Sequence, residues 1–277
     1  MDSNEIQLPD NYQDVVNRFV AACQTDVRIV AAFLGGSYAN GADDKYSDLD
    51  LYLITTDEAY EEFLTECKVF INLLGESLFL ENFGATNGYF FIFSNGTEGE
   101  VWFGRESKFK DIHVGPYKVL LDKKEILAGQ VFPEHMTDQT VQIETLRHQI
   151  NWFWHELSHF IKAMGRKQLW FAYGQLEVLR QICVKLARLR YNFLDAGVGE
   201  EPYFKVDHSL PIDQLSPLEA TICSFEYEAM LQAALVIFRF YQVTAPNLAK
   251  TYSITYQADL ERMMINQLEK LGDVRIT

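Results

Sequence analysis

The 277-residue sequence is poor in cysteine and contains no long apolar run. Its four cysteines lie far apart and form no C-x-x-C pair, a pattern that favours neither a zinc ribbon nor a disulfide framework. No stretch approaches the roughly 18 consecutive apolar residues of a membrane-spanning helix. The first residues, MDSNEIQLPD, have neither the basic nor the apolar region of a signal peptide. We therefore expect a cytoplasmic protein with reduced thiols and no membrane partner.

Positive charge is also scarce. The sequence has 24 Lys and Arg against 39 Asp and Glu, a net charge of −15. Residues 1–140 hold 24 acidic and 10 basic residues, so this half carries −14 of the total. An acidic surface repels phosphates, which disfavours a nucleic-acid partner, and it attracts a cationic small molecule or a divalent metal. Charge kept for solubility alone would explain the same composition.

Residues 1–138 have the mixed pattern of a sheet with helices. Five short runs rich in β-branched and aromatic residues predict strands, and two segments with apolar residues at helical spacing predict helices. The predicted strands are Arg28–Leu34, Leu49–Ile54, Tyr89–Phe93, Glu100–Phe103 and Pro116–Leu121, and the predicted helices are Asp10–Cys23 and Asp57 to about Leu74. The pair Asn95-Gly96 predicts a hairpin turn between the third and fourth strands.

After residue 138 the apolar spacing is helical throughout. The predicted helices are Gln139–Met164, Lys167–Phe193, Pro217–Val243 and Tyr256–Leu271, with Gly165 separating the first two. Four helices of this length predict a bundle. The sequence therefore predicts an α+β protein, with a mixed sheet and helices in residues 1–138 and an all-α helical bundle in residues 139–277.

The residues that suggest chemistry lie within positions 28–54. A predicted strand ends in Gly35-Gly36-Ser37, and after ten residues Asp48 and Asp50 open the next strand in Asp-Leu-Asp. Two glycines let the backbone approach a ligand closely, and their amides and a serine hydroxyl suit phosphate oxygens. Alternate residues of a strand share a face, so the two aspartates project together, and Mg²⁺ would relieve their repulsion. Each element alone is common, but their order and spacing are specific.

This combination resembles the nucleotidyltransferase superfamily, in which a strand, Gly-Ser and Asp-x-Asp follow in this order on a polymerase-beta-like mixed sheet. The superfamily adds a third carboxylate on a later strand. Glu100, which leads the strand after Asn95-Gly96, matches that position, and a glutamate there has the reach of a general base. Glu98 is the second choice for this carboxylate, because it is expected inside the turn.

The wider pattern narrows the resemblance. An N-terminal helix, a Gly-Glu-hydrophobic third strand and an all-helical second half look like the antibiotic nucleotidyltransferases, especially the lincosamide nucleotidyltransferases and the aminoglycoside 6-adenylyltransferases. The resemblance implies a catalytic domain in residues 1–138 and, in residues 139–277, a bundle that completes the substrate cleft. A homodimer is compatible with it.

Residue roles follow from this resemblance. It assigns the nucleotide phosphates to Gly35, Gly36 and Ser37. The resemblance also implies three residues that both bind the metal and take part in catalysis, Asp48, Asp50 and Glu100, with Glu100 as the base. Lys162 and Arg166, near Gly165, are further candidates for the triphosphate, although basic residues at helix ends are often only solvated.

The implied reaction is Mg²⁺-dependent transfer of AMP, or another nucleoside monophosphate, from a nucleoside triphosphate to a hydroxyl of an aminoglycoside or a lincosamide. ATP is the expected donor, pyrophosphate the expected product, and a cationic small molecule the expected acceptor. Two alternatives stay open: a non-catalytic, antitoxin-like interaction protein with the same fold, and an enzyme that adds AMP to proteins. Retention of three carboxylates disfavours the non-catalytic alternative.

A second motif competes with this interpretation. Residues 155–159 read His-Glu-Leu-Ser-His, the H-E-x-x-H pattern of zinc metalloproteases, on a predicted helix. The five-residue pattern is short, and its aromatic neighbours Trp152, Phe153, Trp154 and Phe160 indicate a packing helix. Because the preceding domain matches a nucleotidyltransferase, we do not predict a zinc protease.

Overall fold

The computed structural model describes residues 8–133, 138–194 and 201–273. The chain divides into two compact units, residues 1–135 and 136–277. The first unit contains a mixed sheet with helices, and the second is helical. The predicted α+β class, with a mixed sheet followed by a helical C-terminal region, is therefore confirmed. The division of labour between a catalytic domain and a cleft-completing bundle stays a prediction.

The first unit is organised around a six-stranded sheet. Its elements in chain order are α1 Asp10–Thr25, β1 Ile29–Leu34, α2 Gly36–Asn40, β2 Leu49–Thr55, α3 Tyr60–Asn72, β3 Ser77–Glu81, β4 Gly88–Phe93, β5 Glu98–Arg105, a 3-10 helix Glu106–Asp111, and β6 Lys118–Asp122. The strand order is β3-β4-β5-β2-β1-β6, with β2 and β5 parallel and the other neighbours antiparallel. A parallel pair needs a long crossover, which α3, β3 and β4 supply.

Strand β1 lies between two apolar layers. All six of its residues are buried, three on each face of the sheet. Ile29 and Leu34 pack with Phe19 of α1, whereas Phe33 packs on the other face and stacks on Tyr52 at a ring distance of 4.7 Å. A strand covered on both faces has a continuously apolar sequence, as the run IVAAFL shows.

Strand β3 was not predicted from the sequence. It forms one edge of the sheet, and its residues are half-buried or exposed, including Leu78 at 70% and Phe79 at 43%. Its short sequence SLFLE has no strict alternation of buried and polar positions. Hydrogen bonds to β4 fix this strand, so the neighbouring strand and not its own pattern decides its conformation.

The second unit is built from α4 Gln139–Gly165, α5 Leu169–Tyr191, α6 Val206–Ser209, α7 Ile212–Glu219, α8 Tyr227–Thr251 and α9 Ala258–Asp273. Gly165 is still helical, so the predicted break falls after it and not on it. Lys167 makes the turn with a left-handed φ of 56°, and the amides of Lys167 and Gln168 bond the carbonyls of Met164 and Ala163. These bonds close the end of α4 in the way that C-terminal caps do.

The predicted helix Pro217–Val243 is wrong, because two helices occupy this segment. Pro217 belongs to α7, and residues 220–226 separate it from α8. The guanidinium of Arg180 in α5 donates to both the carbonyl and the hydroxyl oxygen of Thr221, at 2.9 and 2.7 Å. A tertiary contact therefore satisfies the backbone where the helix is interrupted. None of the described helices is long and apolar enough to cross a membrane.

Tyr241 ties α8 to α4 in the core of the second unit. Its ring is fully buried and stacks on Phe153 at 3.7 Å, and its hydroxyl donates to the carbonyl of Ile150 at 2.9 Å. We expect Tyr241→Phe to lower the free energy of unfolding by about 1 kcal/mol, because one buried hydrogen bond is lost while the ring stays. Tyr191→Phe, at an exposed position, should change it by less than about 0.5 kcal/mol in the same denaturant titration. Equal changes in the free energy of unfolding for the two variants would contradict the stabilising role of the Tyr241 hydroxyl.

Candidate active site

An open cavity of about 450 Å³ lies in the first unit. Three of its lining residues, Gly36, Asp50 and Glu100, were singled out in the sequence, and Tyr52 and Trp102 line the cavity with them. Residues 111–114, which begin with the last residue of the 3-10 helix, complete the wall. The fold thus places a glycine turn and two acidic strand positions around one concave surface.

Asp50 and Glu100 lie directly opposite each other in the sheet. They are register partners on the parallel strands β2 and β5, and each is half-buried between fully buried apolar neighbours. The apolar neighbours point into the core, so alternation forces the two carboxylates onto the cavity side. Asp48 precedes β2 by one residue and is exposed.

The three carboxylates form a crowded negative cluster. Burial raises the pKa of Asp50 from 3.8 to about 6, and the charges of Asp48 and Glu100 add to the shift. In the part of the chain that the structure describes, no basic side chain forms an ion pair or hydrogen bond with any of the three. Close like charges without a protein cation are what a divalent ion would relieve.

This donor set fits Mg²⁺. The oxygens of Asp48, Asp50 and Glu100 are the hard ligands that Mg²⁺ takes, and it typically keeps further positions for water and substrate phosphate. The unfavourable electrostatics at Asp50 supply the driving force for such binding. These residues would therefore hold the ion if it is present.

The side chain of Glu100 is held in one orientation. The indole Nε1 of Trp102 donates to its Oε2 at 2.8 Å. Trp102 can lie flat against β4 because Gly88 faces it: a Cβ at position 88 would come within 2.3 Å of the indole ring. A tryptophan and a glycine on neighbouring strands thus position one carboxylate oxygen and leave the other free.

The sequence predicts Glu98 inside the turn, but the structure places it outside the turn. It is the first residue of β5 and lies on the same strand face as Glu100, although its side chain is exposed. Burial raises the pKa of Tyr12, and the charges of Glu98 and Asp48 add to that effect. Glu98 and Asp48 therefore lie near Tyr12 of α1. The turn itself is shorter than predicted and contains Asn95-Gly96, with Gly96 at a φ of 83°.

The glycine turn is required by its neighbours. Gly36 has a φ of 61°, and a Cβ there would lie 1.7 Å from Oδ2 of Asp50. The amide of Gly35 donates to the backbone carbonyl of Asp50 at 2.9 Å, and a Cβ on Gly35 would meet the ring of Tyr52 at 2.7 Å. The two glycines thus let the end of β1 pass directly over the acidic strand.

The remaining predicted residues lie elsewhere. Ser37 is half-buried in the short helix α2, next to Gly36. Lys162 lies in the last turn of α4 and Arg166 caps this helix, and both are exposed in the second unit. The phosphate-binding roles of these three residues stay predictions.

Three cavity residues were missed in the sequence. Tyr52 and Trp102 each follow a carboxylate by two positions, so strand alternation would have placed them on the cavity face. His113 is buried, bonds the carbonyl of Pro116 at 2.9 Å and packs edge-on against Tyr52. It lies in an irregular segment after the 3-10 helix, where no periodicity could have indicated it.

Gly36→Ala should destabilise the first unit more than Gly41→Ala. Both residues have left-handed φ values, 61° and 71°, but a Cβ at position 41 meets nothing within 4 Å. Gly41→Ala should therefore lower the free energy of unfolding only by the strain of alanine in a left-handed conformation, about 1–2 kcal/mol. Gly36→Ala should exceed it by about 1–3 kcal/mol, since it also clashes with Asp50. Urea titration measures both. Equal losses would show that the close approach to Asp50 is unimportant.

Asp50→Asn should stabilise the metal-free protein at neutral pH. Because the folded-state pKa is raised to about 6, ionised Asp50 opposes folding, and stability from this group falls as pH rises from about 4 to 6. Removing the charge should add about 1–2 kcal/mol to the free energy of unfolding above pH 6, a value reduced for partial exposure. The gain should vanish near pH 4.

Denaturant titrations at pH 4 and pH 7.5, with EDTA, test this expectation. Asp48→Asn is the control: it removes a neighbouring charge but leaves Asp50 buried, so its gain should be smaller. Mg²⁺ should stabilise the wild type and have less effect on Asp50→Asn. A destabilised Asp50→Asn at pH 7.5 would contradict the electrostatic account.

A sequence profile described as streptomycin adenylyltransferase matches residues 10–271, a range that enters both units. No curated protein matches the chain. Among solved structures, the chain is similar to an aminoglycoside 6-adenyltransferase from Bacillus subtilis, with 17% sequence identity and a TM-score of 0.40, over 96% of this chain and 99% of that one. The resemblance to the antibiotic nucleotidyltransferases is confirmed by the profile: the chain belongs to the streptomycin adenylyltransferase family and is a nucleotidyltransferase.

Proposed function

We propose that the protein transfers AMP from ATP to a hydroxyl of an aminoglycoside, in a Mg²⁺-dependent reaction that releases pyrophosphate. Membership of the family supports an aminoglycoside adenylyltransferase activity with ATP as the donor. The observation that carries the proposal is the pairing of Asp50 with Glu100 on parallel strands, with the charge of Asp48 close enough to add to the raised pKa of Asp50.

Asp48 and Asp50 would hold Mg²⁺, with Glu100 within reach of the same ion. When bound, the ion neutralises phosphate charge and helps to align the reacting groups. The two aspartates contribute differently: Asp50 is half-buried and fixed in the sheet, whereas Asp48 is exposed at its edge. Asp50 thus supplies a fixed ligand position, and Asp48 a ligand that solvent and substrate can reach.

Glu100 is the proposed general base. The acceptor hydroxyl attacks the α-phosphorus in line with the departing pyrophosphate, and its proton passes to the carboxylate of Glu100. Trp102 bonds one carboxylate oxygen, so the other is available for the proton. Positioning of this kind is a large part of what a phosphoryl-transfer enzyme supplies.

The glycine turn is the proposed phosphate site. The backbone at Gly35 and Gly36 carries no side chain that would keep phosphates away from Asp50, and the hydroxyl of Ser37 is an additional donor. We propose that Lys162 and Arg166, which belong to the second unit, contribute positive charge to the binding of the triphosphate.

The charge of the chain supports a cationic acceptor. Residues 1–140 carry −14, and an aminoglycoside carries several ammonium groups, whereas a lincosamide carries one. Attraction between such groups is long-ranged at low ionic strength and is screened over about 8–10 Å at physiological salt. We therefore place an aminoglycoside before a lincosamide as acceptor. A non-catalytic role is disfavoured, because a scaffold gains nothing from a buried carboxylate with a raised pKa.

A pyrophosphate-release assay tests the function. ATP and the other nucleoside triphosphates are each combined with Mg²⁺ and with streptomycin, other aminoglycosides or a lincosamide. Pyrophosphate should appear with ATP and an aminoglycoside, and excess EDTA should abolish it. Release with a lincosamide alone would correct the acceptor, and labelling of proteins without antibiotic would indicate AMP transfer to proteins.

Glu100→Gln should lower the turnover rate about 10²–10⁴-fold, the usual cost of losing a general base. Glutamine keeps the size and can still accept the bond from Trp102, so ATP affinity should change little. Higher pH should partly restore the rate, because the acceptor hydroxyl then needs less help to lose its proton.

Glu98→Gln is the matched control. Glu98 lies on the same strand face, two residues away, but is exposed, so we expect less than about a threefold change in turnover. Equal losses in the two variants would mean that both glutamates serve the metal. An active Glu100→Gln together with an inactive Glu98→Gln would reverse the assignment of the base.

A further inference from the structure

The H-E-x-x-H segment of α4 is a feature that the proposed reaction does not use. It belongs to the helical unit, and its two histidines lie one helical turn apart on the same face. The rings of His155 and His159 have centroids 4.3 Å apart. Both are accessible, His155 being exposed and His159 half-buried. Two imidazoles in this arrangement can bind one ion.

Three potential ligands are gathered here. His155, Glu156 and His159 can each offer a ligand atom so that all three atoms lie within 4.8 Å of one another. Ligands on one zinc ion, at about 2.0–2.1 Å from the metal, lie roughly 3–3.5 Å apart in a tetrahedral site. An ion between the two imidazoles therefore requires side-chain rotation, while the i, i+4 spacing of the backbone already places both rings on one helix face.

Glu156 is the observation that points to a ligand. Its side chain is buried, with 5% of the residue exposed, and its carboxylate bonds Nδ1 of His155 at 2.7 Å. Within the described chain no other polar group bonds this carboxylate. This buried carboxylate thus has one partner, which is itself about half exposed, and a buried carboxylate is costly unless it is paired. A cation held by His155 would lower that cost.

The same hydrogen bond prepares the histidine for a metal. In the neutral tautomer that carries its proton on Nδ1, Nδ1–H donates a hydrogen bond to the carboxylate. Nε2 then keeps its lone pair and can bind a metal. Carboxylates in this position orient metal-binding histidines and raise their basicity. Trp152 stacks on the other side of the ring at 4.4 Å and limits its rotation.

We propose that His155 and His159 bind a divalent late transition-metal ion, with Zn²⁺ as the reference ion, and that Glu156 orients His155. Remaining coordination positions are open to water. Imidazole ligands favour zinc, nickel and copper, whereas the oxygen ligands Asp48, Asp50 and Glu100 favour magnesium. The two sites therefore differ in the ion that they select. The assignment is one of metal binding and not of peptide hydrolysis.

Calorimetric titration of the full-length protein with Zn²⁺ tests the site, in buffer with millimolar Mg²⁺ to occupy the acidic cluster. We expect one Zn²⁺ per chain with a Kd in the micromolar range. His155→Ala and His159→Ala should each weaken binding at least 10-fold. Glu156→Gln should weaken it about 10–100-fold, as loss of a carboxylate behind a histidine ligand does. Zinc binding weaker than millimolar in the wild type would overturn the proposal.

Two histidines serve as matched controls. His148 lies on the same helix, and its ring stacks on Trp152 at 5.7 Å, while His208 lies in α6. Neither belongs to the cluster, so His148→Ala and His208→Ala should change the Kd by less than about twofold. Equal weakening by His208→Ala and His155→Ala would show unspecific binding and overturn the site.

Thermal unfolding provides a second measurement that does not depend on enzymatic activity. Zn²⁺ at 100 times its Kd should raise the Tm of the wild type, because it binds the folded chain, and should not raise that of His159→Ala. Melting without zinc shows whether Glu156→Gln folds. If that variant is unstable, the fallback measurement is the quenching of tryptophan fluorescence by Cu²⁺. We expect quenching in the wild type and weaker quenching in both Trp152→Phe and His155→Ala. Quenching that is the same in all three proteins would contradict the proposal.

Discussion

Burial of Asp50 beside two acidic neighbours is the constraint on which the acidic cluster of the first unit depends. Parallel pairing of β2 with β5 sets Asp50 opposite Glu100, and burial with two nearby charges raises the pKa of Asp50 to about 6. Several local features make this arrangement tolerable. Gly36 leaves space for the Asp50 carboxylate, and Trp102 donates to Glu100. The core packing that holds β2 and β5 together therefore stabilises a cluster that is unfavourable by itself, as expected where binding energy is to come from a ligand.

Close backbone approach is the second consequence of this pairing. A Cβ on Gly99 would lie 2.3 Å from the carbonyl oxygen of Leu49, so β5 can reach its partner strand only with glycine at that position. Gly88 does the same for the indole of Trp102. The glycines at these positions thus serve two purposes: Gly36 leaves room for an acidic side chain, and Gly88 and Gly99 allow neighbouring strands to meet. Because a Cβ at position 36 would displace Asp50 and one at position 88 would displace the indole that bonds Glu100, the geometry of the site and the packing of the sheet depend on the same residues.

Much of this could be predicted from the sequence, and the omissions have physical reasons. The Gly-Gly-Ser turn, Asp-x-Asp and the Asn-Gly hairpin are local signals, and each is found where local chemistry placed it. Tyr52 and Trp102 follow from alternation once β2 and β5 are known. His113 follows from no pattern, because an irregular segment brings it to Tyr52. The interruption near Thr221 depends on Arg180, some 40 residues earlier, so only tertiary structure reveals it. Sequence periodicity describes what a segment prefers by itself, whereas these positions are decided by distant contacts.

The carboxylates of Asp50 in the first unit and Glu156 in the second unit have different partners, and the metal ions proposed for the two units differ accordingly. Asp50 is surrounded by other acids and has no basic partner among the described residues, so above its pKa of about 6 an external cation would relieve its charge. Glu156 has one imidazole partner, whose exposed ring can itself take a metal. In the first case the carboxylate is the proposed ligand and in the second it orients the ligand, so hard and borderline ions are sorted by the side chains that contact them. Magnesium at the acidic cluster would then act in transfer, while an ion on α4 would depend on the histidines alone.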